Sequence, residues 1–452
     1  MCVFDEVAKK KYYFIGIGGI SMSGIASYLV GCGHFVQGSD LSDSEQVEKL
    51  RQIGVNVVVG EQDFLEGIDW ADIVVYTDAI TLENKEFAHA MECKKKVCSR
   101  MEILREICAS FSEVIAVGGS HGKTTCTSMC AHVLGEAKAS FAAHIGGLDA
   151  HFGNFAYCGK DYMVTEACEY KKNLLKLSCD VAVLLNIDFD HMECYDGEED
   201  VINSFYAFAN RAKVAIVCAD DERCRLLNGV SFGIKNRFAD YCALHLRAER
   251  ERYSFTVSEY GKPICRVKLQ AVGKCNVYNA LAAFAAMRVL GFSVGDIKRG
   301  LESFLSVKRR FEEIGMLYGA KVICDYAHHP REIIATVETA QKACRGEVHV
   351  IFQPHTYSRT KALMEEFIVA LRPLKRLMIF KTYAAREKYE QAGDGRTLAM
   401  RIGNCLYAEN LAALGEWLKR TVKEGDCILF LGAGDIYFAA RYLIKGTEFG
   451  KK

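Results

Sequence analysis

Short apolar runs recur along the chain, and a stretch of helix length separates most of them. Runs of this kind, rich in β-branched residues and bounded by glycine or polar turns, are typical of strands buried in parallel sheets. They lie at residues 12–17, 34–40, 55–59, 72–76, 114–118, 162–166, 181–187, 321–326, 348–352, 377–382 and 427–431. The alternation of strand and helix predicts an α/β fold.

One segment in the middle of the chain has a different pattern. Apolar and polar residues alternate from Tyr253 to Val267, with Gly261 and Pro263 near the centre. Alternation around such a turn signal predicts a half-exposed antiparallel hairpin. The sheet that contains it is therefore expected to be mixed.

The clearest chemical signal is residues 114–125, Val-Ile-Ala-Val-Gly-Gly-Ser-His-Gly-Lys-Thr-Thr. Its turn holds three glycines: Gly118, Gly119 and Gly122. Their backbone N–H groups can surround phosphate oxygens, while Lys123 adds positive charge and the Thr124 hydroxyl suits a magnesium shell. The motif is a shortened phosphate loop, because Val117 stands where the full pattern has glycine. It predicts ATP or GTP binding, and an ordinary strand-to-helix turn is the disfavoured alternative.

The length of 452 residues exceeds what one hydrophobic core usually supports. A strand followed by a glycine turn occurs in three regions, so we expect three domains. These are an N-terminal Rossmann-like domain at 1–110, a central phosphate-loop domain with a mixed sheet at 111–308, and a C-terminal Rossmann-like domain at 309–452. Ligands of such sheets bind at the carboxyl ends of the strands.

Charge and hydropathy exclude several classes of protein. Lysine plus arginine equal aspartate plus glutamate at 57 each, so the basic excess typical of nucleic-acid binding is missing. Residues 1–12 lack the apolar core of a signal peptide, and no apolar stretch reaches the length of a membrane span. We expect a cytoplasmic protein, a monomer or homodimer, with no nucleic-acid partner and no membrane insertion.

Cysteine is frequent but shows no metal-binding or redox spacing. The 20 cysteines are scattered through apolar segments, and Cys-x-x-Cys does not occur. This favours reduced, mostly buried thiols over a disulfide framework. A zinc site formed by Cys126, Cys130 and His132 is an alternative, less favoured than a helix core.

Two predicted strands of the central region end in polar residues. One ends at Glu166, and the other leads into Asn-Ile-Asp-Phe-Asp-His, which ends at His191. Hard oxygen ligands suit Mg²⁺, so Thr124 and Glu166 are candidates for one ion, and His191 for a second ion or for orienting a reactant. A helix-capping carboxylate and an ordinary histidine are the alternatives.

Further polar residues follow two strands of the third region. Asp325-Tyr326-Ala-His328-His-Pro-Arg-Glu follows one, and Gln-Pro-His355-Thr-Tyr-Ser-Arg359-Thr follows the next. Arginine binds carboxylate or phosphoryl groups with two hydrogen bonds, and histidine can transfer a proton. We therefore expect a cleft here for a carboxylate or phosphoryl substrate, with polar loops of no function as the alternative.

Two patterns are weaker. Asn276 and Asn279 lie one helical turn apart, where two amides suit a base edge or serve only as an N-cap and a solvated residue. The N-terminal turn that begins at Gly16 and precedes a strand ending at Asp40 is typical of a dinucleotide fold. An NAD-dependent oxidoreductase would need glycine where Ser21 stands, and it would leave the phosphate loop unexplained.

Seven motifs, in this order, resemble the Mur ligases: Gly-Ile-Gly-Gly-Ile-Ser-Met-Ser-Gly-Ile-Ala, Gly-Ser-His-Gly-Lys-Thr-Thr, Asn-Ile-Asp-Phe-Asp-His, Asn-Val-Tyr-Asn-Ala-Leu-Ala-Ala, Lys-Arg-Arg-Phe-Glu, Tyr-Ala-His-His-Pro and Gln-Pro-His-Thr-Tyr-Ser-Arg-Thr. The resemblance runs from about Tyr12 to the end of the chain. The motifs are most similar to those of members that join L-alanine to UDP-N-acetylmuramate. The resemblance implies ATP and Mg²⁺ as cofactors, and a reaction through an acyl phosphate.

The resemblance also implies a role for individual residues. The ATP site would comprise Gly118, Gly119, His121, Gly122, Lys123, Thr124, Thr125, Asn276, Asn279, Arg310 and Asp325. The UDP-sugar site would comprise Gly16, Gly18, Gly19, Ile20 and Asp40. Catalytic roles would fall to Lys123, His191, His328, His355 and Arg359. Tyr326, His328 and Arg359 would contact substrate, and Thr124, Glu166 and His191 would bind metal.

Four positions depart from the usual family pattern: Glu61, Cys168, Cys275 and Thr356. They bear on uracil, adenine and amino-acid contacts, whereas the phosphate and metal positions are intact. A ligase that transfers whole peptides, or one that uses glycine or serine, stays open as an alternative. A non-catalytic relative would be favoured by loss of Lys123, Glu166 or His191, and all three are present.

Overall fold

The computed structural model describes residues 9–449. Residues 1–8 and 450–452 lie outside the described part. The expectation that residues 1–12 lack a signal peptide therefore falls mostly on residues that the structure does not describe. The described residues form three sheets of five, ten and six strands, which confirms the predicted α/β fold with a mixed central sheet.

The first sheet is purely parallel. Its strands are β1 (Lys11–Ile15), β2 (Phe35–Asp40), β3 (Asn56–Val59), β4 (Ile73–Tyr76) and β5 (Lys96–Ser99). Its helices are α1 (Ile20–Gly31), α2 (Glu45–Gln52), α3 (Leu65–Trp70), α4 (Lys85–Glu92) and α5 (Arg100–Cys108). The order β3-β2-β1-β4-β5 is Rossmann-like, as predicted, and places the turn after β1 at the switch point where ligands bind.

The second sheet carries the phosphate loop. Its strands are β6 (Glu113–Gly118), β7 (Phe141–Asp149), β8 (Gly153–Tyr157), β9 (Tyr162–Glu166), β10 (Val181–Leu184), β11 (Val214–Cys218), β12 (Val230–Gly233), β13 (Tyr241–Glu249), β14 (Arg252–Glu259) and β15 (Lys262–Val272). Its helices are α6 (Lys123–Glu136), α7 (Glu198–Asn210), α8 (Cys275–Val289) and α9 (Val294–Ser303). The order is β15-β14-β13-β12-β11-β10-β6-β9-β7-β8, so β6 lies between β10 and β9.

The predicted hairpin is confirmed as β14 and β15. Its two-residue turn is Tyr260–Gly261, with φ of 47° and 79°. Positive φ at both positions is typical of the tight turns that match the twist of antiparallel strands, and glycine supplies it without steric cost. The central sheet is therefore mixed.

The third sheet is parallel except at one edge. Its strands are β16 (Glu312–Leu317), β17 (Ala320–Asp325), β18 (Val348–Phe352), β19 (Leu377–Phe380), β20 (Leu406–Ala408) and β21 (Cys427–Leu431). Its helices are α10 (Pro330–Ala343), α11 (Tyr357–Ala362), α12 (Met364–Leu371), α13 (Gly395–Ile402), α14 (Leu411–Thr421) and α15 (Ile436–Phe449). In the order β16-β17-β21-β18-β19-β20, only β16 is antiparallel to its neighbour.

Both faces of the third sheet are buried at its central strands, which explains why β18, β19 and β21 are mostly apolar. Ile323 and Val350 belong to the core on one face, whereas Val322 and Ile351 belong to the core on the other. Helices on both faces of a parallel sheet exclude water from its central strands. This burial gives the strand ends a rigid support.

Two compact units contain these sheets. The first comprises Met1–Leu244, Thr256–Val267 and Tyr278–Phe304, and the second His245–Phe255, Lys268–Val277 and Leu305–Lys452. The domain boundaries near residues 110 and 308 stay a prediction. Within residues 9–449, no helix combines the length and apolar character that crossing a bilayer requires.

The 19 cysteines of the described chain are thiols, of which nine are buried and seven are partly buried. Cys126 and Cys130 are fully buried on α6, as expected for a helix core. The exposed cysteines among residues 9–449 are Cys93, Cys158 and Cys275.

Candidate active site

The loop between β6 and α6 has a backbone that only glycine adopts easily. Gly119 has φ of 133°, and Gly122, which caps α6, has φ of 89°. A methyl group added at Gly122 would lie 2.5 Å from Asn279 Oδ1, so a side chain there is excluded by space as well as by conformation. The loop leads directly into the N-terminus of a 14-residue helix, where the helix dipole favours an anion.

Lys123, the first residue of α6, points back across the loop. Its Nζ donates to Gly119 O at 2.6 Å, to Ser120 O at 3.1 Å and to Glu169 Oε1 at 2.9 Å. Burial lowers the pKa of Lys123, but the neighbouring carboxylates, Glu169 first among them, outweigh burial and raise it overall. The ammonium group is therefore charged at neutral pH and held within the loop.

The partner of Lys123 was not found from the sequence. Glu169 is 5% exposed and follows Cys168, the position where the family usually has an acid. Burial raises the pKa of the Cys168 thiol to about 11, so the thiol is neutral and Glu169 supplies the negative charge beside the lysine. The sequence signal was the Glu-Ala-Cys-Glu run that begins at the last residue of β9, and its second acid was not singled out.

A second set of unpredicted contacts holds the loop from the strand next to β6. Asn186 accepts from His121 N at 2.8 Å and donates to His121 O at 3.0 Å. Asp188 Oδ2 lies 3.1 Å from His121 Nε2, and its backbone N–H donates to Ser120 Oγ at 2.8 Å. The segment after β10 therefore fixes the loop by backbone and side-chain hydrogen bonds, because β10 pairs with β6 in parallel.

The two predicted magnesium ligands lie on elements that leave the same edge of the sheet. Glu166 is in register with Val117 of β6, and Thr124 lies in the first turn of α6. Glu166 Oε1 accepts a hydrogen bond from Gly146 N at 2.6 Å, which orients the carboxylate. A hydroxyl and a carboxylate are hard oxygen donors, so this pair fits Mg²⁺.

His191 lies on the same edge of the central sheet, seven residues beyond the end of β10. Its backbone is left-handed, with φ of 56°, and its ring packs edge-on against Tyr170 at 5.1 Å. Nδ1 lies 3.3 Å from Glu193 Oε1. The imidazole is thus half-exposed and oriented by two neighbours.

In the N-terminal sheet, the glycine turn after β1 is tied to the end of β2. Gly18 N donates to Asp40 Oδ2 at 2.8 Å, and a methyl group added at Gly18 would lie 2.9 Å from that oxygen. Gly16 has φ of 79°. The structure thus brings together Gly16, Gly18 and Asp40, with Gly19 and Ile20 continuing the turn into α1.

A buried histidine, also absent from the sequence prediction, joins this turn to the central sheet. His144 of β7 is 3% exposed, and its ring nitrogens contact Ser21 Oγ at 2.8 Å and Thr165 Oγ1 at 3.0 Å. Burial, helped by the positive charge of Arg100, lowers the pKa of His144 to about 3. The ring is therefore neutral at physiological pH and acts as a fixed hydrogen-bonding link.

The second unit gathers the predicted histidines and arginine. His328 and His355 have ring centroids 6.1 Å apart, at the ends of β17 and β18. Arg359 Nη1 donates to His355 Nδ1 at 3.0 Å, and the His355 ring stacks on Tyr383. His328 Nδ1 lies 3.0 Å from the Tyr326 carbonyl. The prediction that these groups lie close together is confirmed by these distances.

Arg310 and Asp325 also lie in the second unit. Arg310 lies over the Tyr326 ring at 5.2 Å and 3.7 Å from Glu332. Asp325 accepts from Phe311 N at 2.7 Å and from Ala327 N at 2.8 Å. Burial raises the pKa of Asp325, while the Arg310 guanidinium opposes that shift. The carboxylate thus orders the loops on either side of it.

The remaining predicted positions have mainly local contacts. Asn276 Nδ2 donates to Val272 O at 2.7 Å, one turn before α8. The neighbouring Cys275, the first residue of α8, is exposed. Thr356 Oγ1 caps α11 by accepting from Arg359 N at 3.4 Å, and exposed Glu61 pairs with Lys85 at 3.4 Å.

Comparison with known proteins gives matches along the whole chain. Models of the Mur ligase family match in order: the catalytic domain at 11–112, the middle domain at 117–287 and the glutamate ligase domain at 309–434. The UDP-N-acetylmuramate–L-alanine ligase of Acetivibrio thermocellus is 36% identical over 463 residues, covering 99% of this chain and 98% of its own.

Solved structures give the same result. The UDP-N-acetylmuramate-alanine ligase of Thermotoga maritima matches with a TM-score of 0.83 and 27% identity, over 98% of this chain and 100% of that one. A murein peptide ligase of Psychrobacter arcticus shares the fold, with a TM-score of 0.76 and 22% identity over 96% and 98% of the two chains. Matches of sequence and structure over nearly the full length show that the chain belongs to the Mur ligase family.

Proposed function

We propose that the chain is an ATP-dependent ligase that joins L-alanine to the lactyl carboxylate of UDP-N-acetylmuramate, a step of peptidoglycan precursor synthesis. The observation that carries the proposal is similarity over nearly the full length to the UDP-N-acetylmuramate–L-alanine ligase of Acetivibrio thermocellus. This chain also has the phosphate-loop lysine, Lys123. The reaction would take place in the cytoplasm, where both ATP and the sugar nucleotide are available.

The first step is transfer of a phosphoryl group. A lactyl carboxylate oxygen attacks the γ-phosphorus of ATP, and the bond from that phosphorus to the β–γ bridging oxygen breaks. ADP departs, and the substrate becomes an acyl phosphate. Lys123 Nζ has three acceptors, two loop carbonyls and the Glu169 carboxylate, so phosphoryl oxygens would replace at least one of them. Its charge then offsets the negative charge that develops on the transferred group.

We assign Mg²⁺ to Thr124 and Glu166, whose oxygen atoms fit a hard divalent cation. When bound, the ion would neutralise phosphate charge. His191 would bind a second ion or orient the lactyl carboxylate, and its contact with Glu193 keeps the ring in place for either role.

The second step forms the amide. The amino nitrogen of L-alanine attacks the acyl carbon, the bond to the phosphate oxygen breaks, and one proton leaves the nitrogen. The Tyr326 carbonyl can only accept, so in the neutral imidazole of His328 the hydrogen is on Nδ1 and Nε2 can accept. We assign His328 Nε2 as the proton acceptor, and Arg359, held by His355, as the group that binds a substrate carboxylate or phosphate.

The other ligand contacts follow the family pattern. The turn at Gly16, Gly18, Gly19 and Ile20, with Asp40, would bind the UDP-sugar. Gly118, Gly119, His121, Gly122 and Thr125 would bind ATP phosphates; Asn276 and Asn279 would contact adenine; and Arg310 and Asp325 would reach the nucleotide. The predicted monomer or homodimer can be checked by light scattering.

The test is release of inorganic phosphate from ATP and Mg²⁺ in the presence of UDP-N-acetylmuramate. L-Alanine, glycine, L-serine and a tripeptide are added in separate reactions, and the products are identified by mass. We expect release that depends on both the sugar nucleotide and L-alanine, with an amide product. Preference for the tripeptide would replace the proposal with peptide recycling, and release without dependence on the sugar nucleotide would contradict both.

A further inference from the structure

Three side chains on helices next to the N-terminal sheet converge, and none of them has a role in the site described above. Asp69 is in α3, His89 is in α4, and Cys93 caps the C-terminus of α4. His89 and Cys93 are four residues apart, so the helix places them on one face. Among residues 9–449, this is a cluster of imidazole, thiol and carboxylate whose ligand atoms all lie within 4.8 Å of one another.

The separations of the three ligand atoms suit a small tetrahedral cation. His89 Nε2 lies 2.9 Å from Asp69 Oδ1, Cys93 Sγ lies 3.5 Å from Nε2, and Sγ lies 4.0 Å from Oδ1. Zn²⁺ binds sulfur at about 2.3 Å and nitrogen or oxygen at about 2.0–2.2 Å, which at tetrahedral angles separates neighbouring ligands by about 3.4–3.6 Å. The observed distances span this value, so small side-chain rotations suffice.

The chemistry of the donors selects the class of ion. Thiolate and imidazole are ligands of Zn²⁺ and similar borderline-soft metals, whereas Mg²⁺ and Ca²⁺ require oxygen. One thiolate and one carboxylate balance a charge of +2. The carbonyl groups at the C-terminus of α4 add partial negative charge next to Cys93.

The backbone around the cluster is fixed before any ion binds. Lys95 Nζ donates to Asp69 O at 2.7 Å and to Ala71 O at 3.0 Å, which holds the end of α3 against the segment after α4. The Asp69 side chain is 61% exposed and that of His89 is 23% exposed. An ion can therefore reach the cluster from solvent, and water can supply a fourth ligand.

We propose that Asp69, His89 and Cys93 form a surface site for Zn²⁺, separate from the predicted Mg²⁺ site. On binding, the Cys93 thiol releases its proton to solvent, and sulfur, Nε2 of His89 and a carboxylate oxygen of Asp69 become ligands. The plain alternative is a hydrogen-bonded His–Asp pair with a cysteine beside it.

The test uses Co²⁺ as a spectroscopic substitute for Zn²⁺ on the full-length chain, followed by displacement with Zn²⁺. We expect one equivalent of Co²⁺ with a thiolate-to-metal charge-transfer band that Cys93→Ser abolishes. His89→Ala and Cys93→Ser should each weaken Zn²⁺ binding, measured by competition with a chromophoric chelator, by at least about tenfold. Cys158→Ser is the matched control, because Cys158 is also exposed but lies outside the cluster.

Two results would overturn the proposal. One is a charge-transfer band that persists in Cys93→Ser, which would place the metal on another cysteine. The other is the absence of saturable Zn²⁺ and Co²⁺ binding by the wild-type chain. All three positions are on the surface of their helices, and circular dichroism of each variant establishes that the fold is retained.

Discussion

Lys123 Nζ lies 2.9 Å from Glu169 Oε1, and both side chains are largely shielded from water. The carboxylate holds the ammonium group inside the phosphate loop and keeps it charged. A bound phosphate would compete with Glu169 and the loop carbonyls for the same three N–H donors. The pair therefore links stability of the loop to its proposed role in phosphoryl transfer.

Replacement of the lysine tests that role directly. Lys123→Ala should lower kcat by about 10²–10³-fold or more, because it removes charge stabilisation in the transition state. Phosphate release gives the rate, and circular dichroism checks the fold. Lys213→Ala is the control, since Lys213 is 68% exposed, and it should turn over normally. Retained turnover in Lys123→Ala would show that the loop is misassigned.

Removal of the negative charge tests the buried pair. Glu169→Gln should lower the free energy of unfolding by about 1–3 kcal/mol, because Lys123 then lacks a charged partner in a desolvated place. Urea unfolding at pH 7 measures the change. Glu106→Gln removes an exposed partner of Lys96 and should leave stability nearly unchanged. Equal effects of both variants would contradict the argument.

The loop conformation predicts a strong effect of one methyl group. Gly122→Ala should cost about 1–3 kcal/mol of stability and raise the KM for ATP, because φ is 89° and Asn279 Oδ1 occupies the space. Gly31→Ala is the matched control, as nothing lies within 4 Å of its added methyl group. Thermal unfolding and ATP titration distinguish the two. A Gly122→Ala variant with unchanged KM would argue against phosphate binding at this turn.

The buried His144 predicts a dependence of stability on pH. Its folded pKa is about 3, whereas an exposed histidine titrates near pH 6.5, so below that pH the unfolded chain binds the proton more readily. The contribution of neutral His144 to the free energy of unfolding is complete above about pH 6.5 and is lost as the pH falls toward 3. Between pH 6.5 and 5.0 the loss should be about 1–2 kcal/mol.

Urea unfolding across this range, compared with His144→Gln, isolates that contribution. The variant should be less stable at pH 7, because it disturbs the link to Ser21 and Thr165, and it should show a shallower slope below pH 6.5. His245→Gln, at an exposed position, is the control. Parallel slopes for wild type and His144→Gln would mean that His144 titrates normally.

Replacement of Arg359 should weaken the binding of one substrate. In Arg359→Lys, the KM for the substrate that Arg359 binds should rise by about tenfold or more. The reason is that lysine cannot form the paired hydrogen bonds of a guanidinium. The KM for ATP should change less. Steady-state kinetics with each substrate varied in turn measures this. Arg372→Lys, on an exposed helix end, serves as the control.

Parts of the fold could be predicted from local pattern alone. Strands such as β9, β18 and β21 were predicted at their observed bounds, because burial on both faces leaves a continuous apolar run. Strand β7 was missed. It contains alanine and glycine, which have low strand propensity, and it is fixed by pairing with β8 and β9.

The sequence by itself determined the phosphate loop, because glycines, lysine and threonine must be adjacent in the chain to surround a phosphate. It also determined the α/β architecture and, through seven ordered motifs, the family. Only the tertiary structure decided that Glu169 pairs with Lys123, that Asn186 and Asp188 brace the loop, and that His144 contacts Ser21. These partners are separated from one another by 46 or more residues, and hydrogen bonds between side chains depend on sheet order and register, which no local pattern encodes.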